Sequence, residues 1–271
     1  MGFQVEKGKI YIAPIVFGPA LCSLQNEVGK RYRGVQEKVD KYTIAYEVEK
    51  NGLEDILPVG FKLLSPHLII NVEALSKVAL LAGRSFNRIE VQTPVIYKGK
   101  KGLFNMVTWE NNGDSIIQDR DIHGIPKVFA HISDMKMKNK VFITSATSWT
   151  FRFLDFAVVF SQKAEDEETF KKIVGSQKYE GVFNYRYIPM TEEGFSKSEV
   201  NYVTLFPTQK NEGSPQICAG AIEWHYPRFE DMPTQYYFGQ KLANLKPVKY
   251  IGASCVTFDR TNNKYNQRII D

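Results

Sequence analysis

The chain has 271 residues, 43% hydrophobic and 13% aromatic, enough apolar material for a substantial core and too much for a disordered chain. Its net charge of +5 comes from 35 basic and 30 acidic side chains that are interspersed, so composition does not favour a nucleic-acid partner. Cys22, Cys218 and Cys255 are few, odd in number and without a CxxC pair, which points to reduced thiols and a cytoplasmic location rather than a disulfide framework.

The N-terminus, Met1 to Lys7, lacks the basic and apolar regions of a secretory signal, and no apolar stretch reaches the length of a membrane span. Residues 42–48 form the first strand candidate, and residues 50–57 a short helix that Pro58 stops. A second strand is expected over 67–73. Tyr97-Lys98-Gly99-Lys100 reads as a hairpin turn. Beyond it Leu103, Asn105, Val107 and Trp109 alternate with Phe104, Met106, Thr108 and Glu110, the period of a strand. Residues 114–123 suit a helix with Asp114 as N-cap and Gly124 as its stop. The basic run at 136–140 reads as another hairpin turn. Trp149, Phe151 and Phe153 alternate with polar residues, as do Phe183, Tyr185 and Tyr187. Between them, residues 164–174 are acidic early and basic late, as the helix dipole favours. Strands over 200–206, 217–226 and 250–258 and a helix over 232–242 complete the series. These elements predict one α+β, β-rich domain over residues 1–271: a large antiparallel sheet, curled or closed like a barrel or cone, with a few flanking helices.

The segment that carries chemistry is Gly124-Ile125-Pro126-Lys127, followed by the apolar Val128-Phe129-Ala130. A lysine placed where a helix stops and the chain turns into buried sequence is a candidate for desolvation, which disfavours its ammonium form and frees a nucleophilic amine. The same tetrapeptide in isolation is compatible with a solvated loop.

The surrounding motifs carry a family resemblance. They are the stretch 42–46 followed by Leu57-Pro58-Val59-Gly60, then Leu81-Ala82-Gly83-Arg84 with Thr93-Pro94-Val95, and Asp119-Arg120-Asp121 before Gly124-Ile125-Pro126-Lys127. With Leu245-Lys246-Pro247-Val248, in this order and spacing, they resemble the acetoacetate decarboxylase family. The resemblance implies that Lys127 forms a Schiff base with a β-keto acid, with no metal or organic cofactor. It also implies a homo-oligomer whose partner molecule is a small keto acid. Loss of the Lys127 side chain is then expected to abolish imine trapping with little change in stability.

The sequence also departs from the family pattern. Val128 stands where the decarboxylases carry a second lysine, Arg88 where they carry a glutamate, and Val39 near the place of an N-terminal arginine, with Arg31 and Arg33 poor substitutes. Glu90 shares a strand face with Arg88 and replaces the lost acid only if the register shifts. Arg88 is therefore a candidate for the activating cation or the carboxylate receptor, with Arg120 as a second. Arg120 equally suits an ion pair that holds the helix. Glu110, and less directly Glu73, are candidate proton donors. Trp109, with Phe104 and Phe129, suggests an apolar pocket, and Ile125 a substrate contact. Two alternatives to decarboxylation remain: aldol or dehydration chemistry from the same iminium on a larger keto acid, and a ligand-binding barrel without turnover. His67, His123, His131 and His225 show no metal-ligand spacing, and His123 reads as an exposed helix end. The chain has no phosphate-binding glycine loop, so nucleotide binding is not expected.

Overall fold

The structure is a computed structural model that describes residues 4–19, 35–175, 179–192, 197–208, 213–262 and 264–270. Cys22, Arg31 and Arg33 lie outside the described residues. Fifteen strands occur among them in chain order: β1 (Val35–Glu47), β2 (Phe61–Leu63), β3 (His67–Val78), β4 (Arg84–Tyr97), β5 (Lys100–Glu110), β6 (Lys127–Phe129), β7 (His131–Ile132), β8 (Lys136–Lys138), β9 (Val141–Ser148), β10 (Phe151–Val159), β11 (Gly181–Pro189), β12 (Ser198–Pro207), β13 (Gln216–Trp224), β14 (Lys249–Asn262) and β15 (Arg268–Ile270). The α-helices are α1 (Lys50–Glu54), α2 (Gly113–His123), α3 (Glu167–Val174) and α4 (Tyr236–Asn244).

The strands form one sheet in the order β15-β12-β11-β5-β4-β3-β1-β14-β13-β10-β9-β7, with β2 beside β4, β6 beside β5 and β8 beside β9. The β-rich α+β reading therefore holds, but the path does not close into a barrel. Nor is the sheet wholly antiparallel, because β11 and β6 both run parallel to β5. Those two strands share one edge of β5: Val182 and Phe183 pair at Leu103 and Phe104, and Lys127 to Phe129 at Thr108 to Glu110.

The two faces of the central strands differ sharply. One carries Ile44, Tyr46, Leu68, Ile70, Val72, Ile89, Val91, Val107 and Trp109 into the largest apolar core. Burying a large aliphatic side chain there stabilises by about 1.5–3 kcal/mol. The other face is polar where the cavity lies: Thr43 donates to Asn71 at 2.8 Å and Asn71 to Gln92 at 3.2 Å, across three neighbouring strands. Such a buried polar face is tolerated because its groups satisfy one another.

A β-bulge corrects the simple alternation read from β5. The register shifts between Val91 and Gln92, so Val91 opposes Val107 while Gln92 opposes Asn105, leaving Met106 as the extra residue. An inserted residue reverses the facing of everything after it. Leu103 and Asn105 therefore line the polar side, yet beyond the bulge Trp109 turns into the apolar core and Glu110 to the side of Lys127.

Candidate active site

Lys127 is positioned by the end of α2 and the start of β6. The Asn112 side chain caps α2 by accepting from the Ser115 backbone N–H at 2.9 Å, so the cap is Asn112 and not Asp114, which lies in the first turn. Gly124 ends the helix in the left-handed conformation with φ 67°, and its N–H donates to the Arg120 carbonyl at 3.1 Å. A Cβ there would fall 2.5 Å from the Arg186 side chain, so both the turn and the packing require glycine. The Pro126 carbonyl then accepts from Thr108 N–H at 3.0 Å and hands the chain to β6, where Lys127 opposes Thr108 and Val128 opposes Trp109.

The Lys127 side chain is only 1% exposed, which agrees with the expected burial. Its charge state does not agree. The Nζ donates to Asp119 Oδ2 at 2.6 Å and Ser115 Oγ at 3.1 Å, and stands 2.6 Å from Glu110 Oε1. Burial is the largest influence and disfavours the ammonium. The Asp119 and Glu110 carboxylates outweigh it, with Arg88 opposing them, and the pKa rises above the ordinary 10.5. Lys127 therefore rests as a charged ammonium, and the expectation of a neutral amine is corrected. Glu110 is fully buried, and neither of its oxygens makes a hydrogen bond among the described residues, so its hold on Lys127 is ionic rather than directional.

The amine borders a cavity of about 230 Å³ whose wall includes Ser115, Asp119, Ile125, Glu73, Arg88 and Glu90. Across β1, β3, β4 and β5, Lys41, Glu73, Arg88 and Glu110 oppose one another in register, four alternating charges that lead to Lys127. Arg88 donates to Glu73 at 2.5 Å and its Nε lies 3.3 Å from Glu90, while Arg260 reaches Glu73 at 3.3 Å and Glu37 at 2.9 Å. Burial opposes ionisation of Glu73, but Arg88, Arg260 and Lys41 together hold its carboxyl well below the usual range. The same pairing with Glu73, then Glu90 and Glu110, raises Arg88 against its own burial.

Of the residues singled out in the sequence, Lys127, Arg88, Glu90 and Ile125 line this cavity, and Glu110 stands directly behind the amine. Glu90 reaches the wall in the register observed, where it pairs with Thr108 on the near side of the β5 bulge at Met106. Trp109 and Arg120 do not belong to the site. The Trp109 indole donates to Gln235 at 2.8 Å inside the opposite core, and Arg120 is exposed on the outer side of α2. The cavity does have apolar walls, but from Leu75, Val78, Phe86, Leu103, Phe206 and Phe258 rather than from the aromatics expected: Phe104 packs in a second core and Phe129 is exposed. Glu73, a marginal candidate, proves to be the hub of the charged wall.

Sequence reasoning missed Asp119 and Ser115 as partners of the lysine. Their signal was present: Ser115, Asp119 and His123 recur every fourth residue, one face of a helix. His123 is buried rather than exposed, with its ring nitrogen 4.0 Å from Asp119. His225 has neighbours that its spacing in sequence does not show. It lies 2.8 Å from Asp155 and forms with Asp155 and Glu223 a group of three side chains with metal-ligand spacing, away from the Lys127 cavity. Arg152 pairs with the same Asp155.

The site is thus a lysine buried among carboxylates at a cavity on the polar face of a mixed sheet. Residues 25–266 match the model of the acetoacetate decarboxylase (ADC) family, and the chain belongs to that family. Among solved structures it is similar to an acetoacetate decarboxylase from Legionella pneumophila, at 19% identity and TM-score 0.66 over 88% of this chain and 86% of that one. It is also similar to an acetoacetate decarboxylase-like enzyme from Sphingomonas wittichii RW1, at 14% identity and TM-score 0.63 over 83% and 88%. The enduracididine biosynthesis enzyme MppR complexed with pyruvate matches at 11% identity and TM-score 0.64, over 87% and 90%. No curated protein matches the chain. No helix among the described residues is long and apolar enough to cross a membrane.

Proposed function

We propose that the protein is a Schiff-base-forming lyase that decarboxylates a β-keto acid through an iminium on Lys127. The observation that carries this reading is a lysine 1% exposed, at the edge of a cavity, with two carboxylates each 2.6 Å from its nitrogen. The ammonium passes a proton to Asp119 or Glu110, and the neutral amine adds to the ketone carbon. The carbinolamine takes the proton back at oxygen and loses water, leaving the iminium. The bond to the carboxylate then breaks, carbon dioxide leaves and the electron pair forms the enamine. Protonation of the enamine carbon and addition of water release the ketone and restore the amine. The enamine carbon takes a net proton from solvent, relayed by Asp119 in the cavity wall or Glu110 behind the amine.

Aldol or dehydration chemistry from the same iminium is a second reading, favoured by the two carboxylates available for proton transfer. The enzyme MppR, a structural neighbour, has also been seen complexed with the condensation product of pyruvate and imidazole 4-carboxaldehyde. One experiment tests the shared first step. Incubation with keto acids and borohydride, read by intact mass, should add one reduced substrate to the wild type and none to Lys127→Ala. Trapping that persists in the variant places the nucleophile elsewhere. If no keto acid is trapped by the wild type, the non-catalytic binding protein replaces both readings.

A further inference from the structure

The charges around the cavity are nearly all matched. Lys127 has Glu110 and Asp119, Lys41 has Glu73, Arg260 has Glu37 and Glu73, and Arg88 has Glu73 and Glu90. Among the described residues these are four cations (Lys41, Arg88, Lys127, Arg260) and five carboxylates (Glu37, Glu73, Glu90, Asp119, Glu110). The groups that line the cavity balance four to four, and Glu110 behind Lys127 tips the set to one negative charge when His123, 4.0 Å from Asp119, is neutral. A ligand bringing only a carboxylate would add a second to a confined space, where charges interact more strongly than in water.

Glu90 is the least firmly held of the five. Asp119, Glu73 and Glu37 accept hydrogen bonds, and Glu110 lies 2.6 Å from the ammonium. Glu90 has only the Arg88 Nε, at 3.3 Å, and that Nε makes no hydrogen bond among the described residues. The contact lacks a directional bond, so exchanging it sacrifices little. Glu90 also faces the right way. It opposes Thr108, and Thr108 opposes Lys127, so the Glu90 and Lys127 backbones are level across two strand spacings, about 10 Å between Cα atoms.

We infer that the substrate is a keto acid carrying a second, cationic group, an ammonium or guanidinium, which Glu90 binds while the Arg88 guanidinium takes the carboxylate. The ligand then exchanges one ion contact for two and leaves the charge of the cavity unchanged. The carbonyl end of this inference rests on the Schiff-base reading; the charge selectivity does not.

The test uses two 2-oxo acids of equal chain length, one ending in tert-butyl and the other in the isosteric trimethylammonium group, which cannot cyclise onto the ketone. Calorimetry without reductant reads charge selectivity, and cyanoborohydride trapping reads imine formation. The wild type should bind the trimethylammonium acid at least about tenfold more tightly, the equivalent of ~1.4 kcal/mol. Glu90→Gln should bring the ratio close to one and Glu90→Asp should keep it. Equal affinities in the wild type, a preference that survives Glu90→Gln, or no binding of either acid overturns the inference. Preferential binding without trapping overturns the Schiff-base reading and leaves the charge selectivity standing.

Discussion

Replacing Lys127 with methionine isolates what the buried amine does for the fold. Methionine keeps an unbranched chain of similar reach but removes the charge that Asp119 and Glu110 share at 2.6 Å each. Both carboxylates are buried, Glu110 completely, so neither recovers its hydration when the cation is lost. Removing one partner of a buried ion pair costs about 3–5 kcal/mol, and two stranded carboxylates place this variant toward the upper end. At about 2–4 °C per kcal/mol for chains of 150–250 residues, the melting temperature at pH 7 should fall by roughly 6–20 °C. This contradicts the sequence-based expectation that loss of the side chain leaves stability little changed. Urea unfolding at pH 7 and then at lower pH checks the cause, because protonating either carboxylate removes a stranded charge and should shrink the deficit. Lys127→Met with Glu110→Gln should recover part of the loss. A single variant as stable as the wild type at pH 7, or a double variant less stable than the single one, would refute the reasoning.

Two further outcomes follow from the same geometry. Because the carboxylates raise the Lys127 pKa above 10.5, the neutral amine is scarce at pH 7 and grows about tenfold per pH unit. Trapping through an amine deprotonated by solvent would follow that rise, whereas proton transfer within the buried pair to Asp119 or Glu110 does not depend on pH. Trapping should therefore stay nearly level from pH 7 to pH 9, and a tenfold rise per pH unit would show that neither carboxylate accepts the proton. Val128→Lys was the natural way to restore the missing second lysine, but Val128 packs against the apolar core on the side of Trp109. The substitution should destabilise by about 0.5–3 kcal/mol and leave the pH dependence of trapping unmoved; a change in that profile would show that the new ammonium reaches the site.

Much of the architecture was legible because it depends on local pattern. The turn at Lys98-Gly99 and the stop at Gly124 both need left-handed backbone, and both stand where the sequence placed them. The sheet was harder. Whether two strands run parallel, and whether the path closes, depends on contacts between residues far apart in the chain, such as Val182 with Leu103. The site divided in the same way. Lys127 and Arg88 could be found from motif and strand face, whereas Trp109 was assigned to the cavity from its nearness to the motif in sequence, which does not say which face of β5 it occupies. The charge state of Lys127 was missed for a similar reason. Apolar neighbours in sequence suggested desolvation alone, but Asp119 comes from the preceding helix and Glu110 from the neighbouring strand.

The raised pKa and the proposed chemistry are compatible once the proton is followed. Burial is the largest single influence on Lys127, and it penalises an ion pair as well as a lone ammonium. Moving the proton along the 2.6 Å hydrogen bond to Asp119 turns two buried charges into two neutral groups. That step costs the Coulomb attraction and recovers the desolvation penalty, so the free amine lies closer than the resting pKa suggests. A second lysine is one way to displace the proton, by repulsion. Here the next residue on β6 points into the opposite core, and a carboxylate in contact offers the other way, by acceptance. The acid that holds the amine charged at rest is then the base that frees it when a carbonyl arrives.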